Sequence, residues 1–161
     1  MTAACIGLGA NLGDAAQTLR DAFQALAGLP RTTLRARSPL YSTPAWGNED
    51  QPAFVNAAAL LDTALDGPEL LAALLGIERD FGRVRAPGVH WGPRTLDLDL
   101  LLFGNEVIDE PGLRVPHPHL QERSFALVPL VEVAPDAMIP GNGSARAAMA
   151  AVDTSQIKVV G

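Results

Sequence analysis

The 161-residue chain has a single cysteine, Cys5, and a single lysine, Lys158. One thiol excludes an internal disulfide and suits a reducing compartment, so a cytoplasmic location is expected. One lysine near the C-terminus excludes a Walker phosphate loop, which needs a lysine directly after its glycines. Cations are in deficit overall: 12 lysines and arginines stand against 18 aspartates and glutamates, a net charge of −6. That balance argues against nucleic acid as a partner, because phosphate backbones are held by clustered cations. No run is long or apolar enough to span a bilayer, so no membrane partner is expected either. The opening MTAACIGLGANLGD lacks the basic start and unbroken apolar stretch of a secretory signal. Aromatics make up only 5%, yet the apolar share is 48%, enough to build one core in one domain over residues 1–161. There is no internal repeat and no interdomain linker.

Half of the cations lie close together. Arg79, Arg83, Arg85, Arg94, Arg114 and Arg123 fall in one third of the chain, with all three histidines, His90, His117 and His119. Residues 3–8 read as a first strand, ended by glycines. Asp14, with Gln17 three residues on, caps a helix running to about residue 27. A weak strand at 32–37 precedes a Pro/Gly-rich loop at 38–52 that carries Tyr41 and Trp46. Residues 54–62 read as a strand. Asp66, Pro68 and Glu69 open a second helix with an apolar face of Leu70, Leu71, Leu74, Leu75 and Phe81, ended by Gly82. An irregular loop at 83–93 leads to a strand at 95–103. Gly104-Asn105 signals a tight hairpin returning at 106–108. A helical stretch at 120–133 is expected to be interrupted or bent at Pro129, and the tail offers a short helix at 145–152 and a strand at 157–160. The order strand, helix, strand, strand, helix, strand suits an α+β, ferredoxin-like antiparallel sheet with helices packed on one face.

The strand RTLDLDLLLF holds the main chemical signal. Side chains two apart in a strand share a face, so Asp97 and Asp99 project together, with Cα atoms about 6.6 Å apart. Leu96, Leu98 and Leu100 take the other face. Two close carboxylates repel, and a cation relieves them. Their hard oxygens suit Mg²⁺, which commonly completes its shell with water and substrate phosphates. Pairing with surface arginines is the plainer alternative. The arginines of the 83–93 loop, however, match phosphate oxygens bidentately, so acids and arginines together point to a metal–polyphosphate site. His117 and His119 do not make a zinc site with only one cysteine for company.

GLGANLG resembles a dinucleotide loop only superficially. Gly7, Gly9 and Gly13 have the wrong spacing, and Arg35 and Arg37 stand where an acidic residue would bind ribose. A tight strand-to-helix turn is the better reading. Phe54 and Asn56 share a strand face. An aromatic beside an amide serves a flat heterocycle by stacking and by edge hydrogen bonds; core packing, with Asn56 bonded to backbone, is the alternative.

HWGPRTLDLDLLL closely resembles the signature of the 6-hydroxymethyl-7,8-dihydropterin pyrophosphokinase family of folate biosynthesis. IGLGANLGD, SPLYSTPAWGNEDQPAFVNAA, IERDFGRVR and VPHPHLQERSFALVPLVEVAPD are similar to further family segments, in the same order. The resemblance implies a ferredoxin-like fold and transfer of diphosphate from ATP to the pterin's hydroxymethyl group, with AMP released. It implies two Mg²⁺ ions on Asp97 and Asp99, and Arg83 and Arg94 acting with them in catalysis. Glu78, Arg83, Arg85, Trp91, Arg94, His117 and Arg123 would serve ATP. Thr43, Pro44, Trp46, Phe54, Asn56 and Phe125 would hold the pterin, with Phe54 and Phe125 sandwiching the ring. The partners are then ATP and hydroxymethyldihydropterin, and the enzyme is expected to be a monomer. Some family members carry a lysine where this chain has Ala86, and a tyrosine where it has Pro118. The loops at 45–51 and 83–91 are expected to close over bound substrates.

Overall fold

A computed structural model describes residues 1–44, 52–82 and 96–160 of the chain. Its centre is a six-stranded sheet. β1 (Thr2–Ala10) lies between β4 (Phe54–Thr63) and β5 (Asp97–Phe103), and every pairing is antiparallel. β4 is long enough to hold two partners on its other side. β2 (Thr32–Arg37) pairs with its C-terminal half and β3 (Leu40–Thr43) with its start. Between them Ser38 bonds Ala58 twice: its amide donates to the Ala58 carbonyl and its Oγ accepts from the Ala58 amide, both at 2.9 Å. β10 (Lys158–Val160) closes the far edge on β3. This is the ferredoxin-like arrangement. β3 is a strand that composition hides, because it lies in the Pro/Gly-rich stretch and owes its hydrogen bonds to β4 and β10.

Both crossover helices form where their caps place them. Asp14 accepts from the Gln17 amide and starts α1 (Ala15–Ala27), whose Leu19, Ala22, Phe23 and Leu26 recur at helical spacing and are buried. Asp66 and Glu69 exchange a full capping box at the start of α2 (Gly67–Asp80). The buried face of α2 is Leu70, Leu74, Ile77 and Glu78, and Leu75 faces solvent rather than the core. α1 and α2 cover one face of the sheet, over Ile6, Leu8, Leu61, Leu98 and Leu100.

The helices are not confined to that face. α3 (Ser124–Val133), after a single 3-10 turn at Leu120–Glu122, packs on the opposite face against β4, β1 and β3. With α4 (Ala145–Ala150) it covers Cys5, Leu101 and Leu102 in a second, smaller core. A β-bulge makes this possible. Cys5 pairs with Leu102 but Ile6 pairs with Leu100, so Leu101 is an extra residue in β5. The extra residue breaks the two-residue alternation. Leu98, Leu100 and Phe103 therefore all serve the first core, while Leu101 and Leu102 serve the second.

The expected hairpin after β5 is corrected. Gly104-Asn105 does form a turn, with the Glu106 amide donating to the Phe103 carbonyl at 3.1 Å. Gly104 takes φ +57, but Asn105 is not among the residues with positive φ, as a type I′ hairpin turn requires. The chain leaves the sheet, and β6 (Ile108–Glu110) pairs instead with β7 (Leu113–Val115) beside α2. A further two-residue pair, β8 (Met138–Ile139) with β9 (Gly143–Ser144), precedes α4. Among the described residues no helix is long and apolar enough to cross a membrane.

Cys5 is buried in the second core, and that burial pushes its thiol up to about 12. The folded chain then keeps a proton that the unfolded chain loses above 9.0, so this group costs stability as pH rises from 9.0 towards 12. A thiol reagent at about pH 8 is expected to label Cys5 only after denaturation. Prompt stoichiometric labelling of the native protein would contradict that burial.

Candidate active site

The sheet carries the site on its α3 face, in rows set by strand register. Asp97 lies opposite Gly9, Gly9 opposite Asn56, and Asn56 opposite Tyr41. One row further, Asp99 lies opposite Gly7, which lies opposite Ala58. Facing residues in an antiparallel ladder share a side, so the acid pair and the amide look onto one surface. Between them stand two residues with no side chain. A Cβ on Gly9 would come within 3.0 Å of Asn56 Oδ1, and one on Gly7 within 3.3 Å of Leu101 Cδ1. Gly7 and Gly9 therefore belong to β1 and leave its floor bare. Only Gly13, with φ +57, serves the turn to α1 that the spacing suggested for all three.

Above this floor is a cavity of about 440 Å³. Its walls include Thr43, Pro44, Phe54, Asn56, Asp97, Asp99, Arg123 and Phe125, eight residues expected from the sequence. Gly7, Gly9, Leu101 and Ala126 line it too, and the sequence reading missed them as site residues. The period-2 pattern of β1 was the signal for the glycines: Gly7 and Gly9 alternate with Ile6, Leu8 and Ala10, all buried. Phe54 and Asn56 project from the start of β4, and Asn56 Nδ2 donates to Thr43 Oγ1 at 2.8 Å. That bond fixes the amide and sets its Oδ1 over Gly9. Phe125 enters from the first turn of α3, and the Arg123 guanidinium stacks over its ring at 5.8 Å.

At the acid end, His117 is held by its backbone on β5, its amide donating to the Leu101 carbonyl at 3.0 Å. Its Nδ1 bonds the Pro118 carbonyl at 2.8 Å. A carbonyl only accepts, so Nδ1 carries the proton and Nε2 is the ring atom left facing Asp99, 3.9 Å away. That separation is too long for a direct hydrogen bond. Asp99 also borders a neighbouring cleft of about 360 Å³, lined by Leu71, Leu98, Leu100, Arg114 and His117. Glu78, expected near a nucleotide, is 2% exposed and lines neither hollow; its Oε2 accepts from the Leu98 amide at 2.7 Å. His119 is exposed, against Glu122, and takes no part. Trp46, Arg83, Arg85, His90, Trp91 and Arg94 lie outside the described residues, as do the two loops at 45–51 and 83–91.

The surface thus combines an aromatic and amide end with a carboxylate end. The donor set suits a hard divalent cation: two carboxylates from one strand face, half-buried, beside an open cavity.

Comparison with known proteins gives the chain's family. The family profile described as 7,8-dihydro-6-hydroxymethylpterin-pyrophosphokinase (HPPK) matches residues 5–135. A Pseudomonas aeruginosa protein named 2-amino-4-hydroxy-6-hydroxymethyldihydropteridine pyrophosphokinase is 50% identical over 135 residues, 84% of this chain and 82% of its own. A Methylorubrum extorquens protein of the same name is 44% identical over 160 residues, 99% of each chain. Among solved structures, wild-type Plasmodium falciparum HPPK-DHPS with STZ-DHP superimposes with a TM-score of 0.73 at 14% identity. That likeness covers 93% of this chain and 43% of the longer one, and it speaks for the fold alone. A match that takes in the aromatic–amide strand and the acid-pair strand in order, with one relative aligned over 99% of both chains, makes this chain a member of the HPPK family.

Proposed function

We propose that the chain transfers the diphosphate group of ATP to the hydroxymethyl group of 6-hydroxymethyl-7,8-dihydropterin, releasing AMP, a step of folate biosynthesis. The hydroxymethyl oxygen forms a bond to the β-phosphorus as the bond from that phosphorus to the α,β-bridging oxygen breaks. AMP leaves with the electron pair, and the hydroxyl proton passes to solvent or to a carboxylate of the acid pair. The supporting observation is that one cavity is aromatic and amide-lined at one end and bears two carboxylates at the other.

In this reading Phe54 and Phe125 sandwich the pterin ring, with Thr43, Pro44 and Trp46 around it. Asn56, steadied by Thr43, reads the ring's donor and acceptor edge. ATP enters from the neighbouring cleft, whose leucines suit a nucleoside, so that its phosphates reach Asp99, which borders both hollows. Asp97 and Asp99 would hold Mg²⁺, two ions in all, which when bound neutralises phosphate charge and polarises the reacting oxygens. Arg83, Arg85, Arg94, Arg123 and His117 would grip the phosphates, with Trp91 nearby. The protein's share of the work is alignment and charge complementarity rather than a covalent intermediate. We place the enzyme in the cytoplasm as a monomer.

Incubation with ATP, Mg²⁺ and the hydroxymethylpterin, followed by nucleotide analysis, tests the reading. AMP formed only with pterin and metal both present is the expected result. ADP would indicate an ordinary kinase, and free diphosphate a nucleotidyltransferase; either would overturn it. Gly9→Ala is expected to raise KM for the pterin about tenfold, as the new methyl displaces the Asn56 amide, while KM for ATP holds. An unchanged pterin KM would remove Gly9 from the pocket floor.

A further inference from the structure

Glu78 occupies a place on α2 that should be apolar. It recurs with Leu70, Leu74 and Ile77 on the buried face and is 2% exposed. A carboxylate there carries a desolvation cost unless its oxygens are bonded. Its Oε2 takes the Leu98 amide at 2.7 Å, the short range of a charge-assisted bond. Leu98 is the residue between Asp97 and Asp99.

The location of β5 explains why this amide needs a partner from outside the sheet. Among the described residues β5 is an edge strand, with β1 as its only sheet neighbour. Leu98 lies opposite Leu8, and its N–H points away from β1 towards α2. The alternation of an antiparallel ladder then makes Asp97 with Gly9, and Asp99 with Gly7, the pairs that exchange hydrogen bonds with β1. Three residues on, the strand is irregular at the Leu101 bulge. An edge strand with a bulge is free to twist unless it is held on its open side.

We propose that Glu78 is a positioning residue, standing in at Leu98 for a missing neighbouring strand and thereby fixing the direction in which Asp97 and Asp99 project. It acts on the reaction through the backbone between the two carboxylates and not by touching ATP. The proposal rests on the reading of Asp97 and Asp99 as the metal-holding pair, so its test includes a measurement that needs no metal.

Hydrogen exchange at the Leu98 amide, read by NMR in protein without metal or nucleotide, is compared in wild type, Glu78→Ala and Glu78→Gln. The alanine variant is expected to speed that exchange about tenfold, the factor for one lost charge-assisted bond. In assays, it is expected to need several-fold more Mg²⁺ for half-maximal AMP formation and to lose about tenfold in kcat, with KM for ATP at saturating Mg²⁺ held. Glutamine keeps an acceptor oxygen, so it is expected to restore most of what alanine loses in all of these. If alanine does not fold, Leu98 protection and kcat in the glutamine variant decide the matter. A glutamine variant as impaired as alanine, or unprotected at Leu98, overturns the proposal in favour of a role for charge. So does an alanine variant whose only defect is a raised KM for ATP. Full activity in Asp97→Ala would sink the metal reading instead, and it would leave the Leu98 exchange result standing.

Discussion

Alanine at Asp97 or Asp99 is expected to lower diphosphate transfer by about three orders of magnitude, or ~4 kcal/mol of transition-state stabilisation. The size follows from what the pair faces. ATP brings several negative charges towards two carboxylates, and a metal held by the pair would make that approach favourable where the arginines do not reach. The pair sits on one face of β5, opposite Gly9 and Gly7, with no bulky side chain between it and the cavity. Neither carboxylate is part of the core, whose strand residues here are Leu98 and Leu100. Thermal unfolding of either variant is therefore expected within a few degrees of wild type, the range of changes outside the core. Calorimetric titration with Mg²⁺ and a non-hydrolysable ATP analogue is expected to show weakened metal-dependent binding. Near-normal turnover in either variant would dismiss the acid pair as the metal site.

The second large effect is expected at the other end of the cavity. Asn56→Leu keeps the side-chain volume and removes both the donor and the acceptor. Asn56 is 8% exposed, so a pterin edge placed against leucine leaves its own polar groups unpaired out of water. The expected loss in kcat/KM for the pterin is about a hundredfold or more, or ~3 kcal/mol, with KM for ATP unchanged. The variant also leaves Thr43 Oγ1 without its 2.8 Å donor, so Thr43→Val is a fitting control. That change should cost less, since it loosens the amide without removing it. Equal losses in the two variants would mean that the Asn56–Thr43 pair serves the fold rather than the ligand.

Much of this was legible before any coordinates. The caps at Asp14 and Asp66 fixed both crossover helices, because a side-chain oxygen three residues before an amide is a local device. The shared face of Asp97 and Asp99 followed from the geometry of a strand alone. The features that escaped depend on distant partners. β3 is four residues in a proline-rich stretch, and only β4 and β10 make it a strand. The alternation with Ile6, Leu8 and Ala10 marks Gly7 and Gly9 as strand residues, but nothing local says that Asn56 will lie across one and Leu101 against the other. The second core was hidden for the same reason: a bulge in β5 has no sequence mark when every residue from Leu100 to Phe103 is apolar. Leu75 was misjudged because a helix of many leucines does not announce which of them the sheet will cover.

The extra residue at Leu101 splits one strand into two segments that answer to different masters. Upstream, the chain presents the acid pair to the cavity and Leu98 and Leu100 to the first core; downstream, Leu102 packs under α3 and α4 while Phe103 returns to the first core. A joint of this kind lets either segment drift over evolutionary time without dragging the other out of alignment. Relatives should accordingly tolerate repacking around Leu102 while the geometry of the acidic segment stays constant.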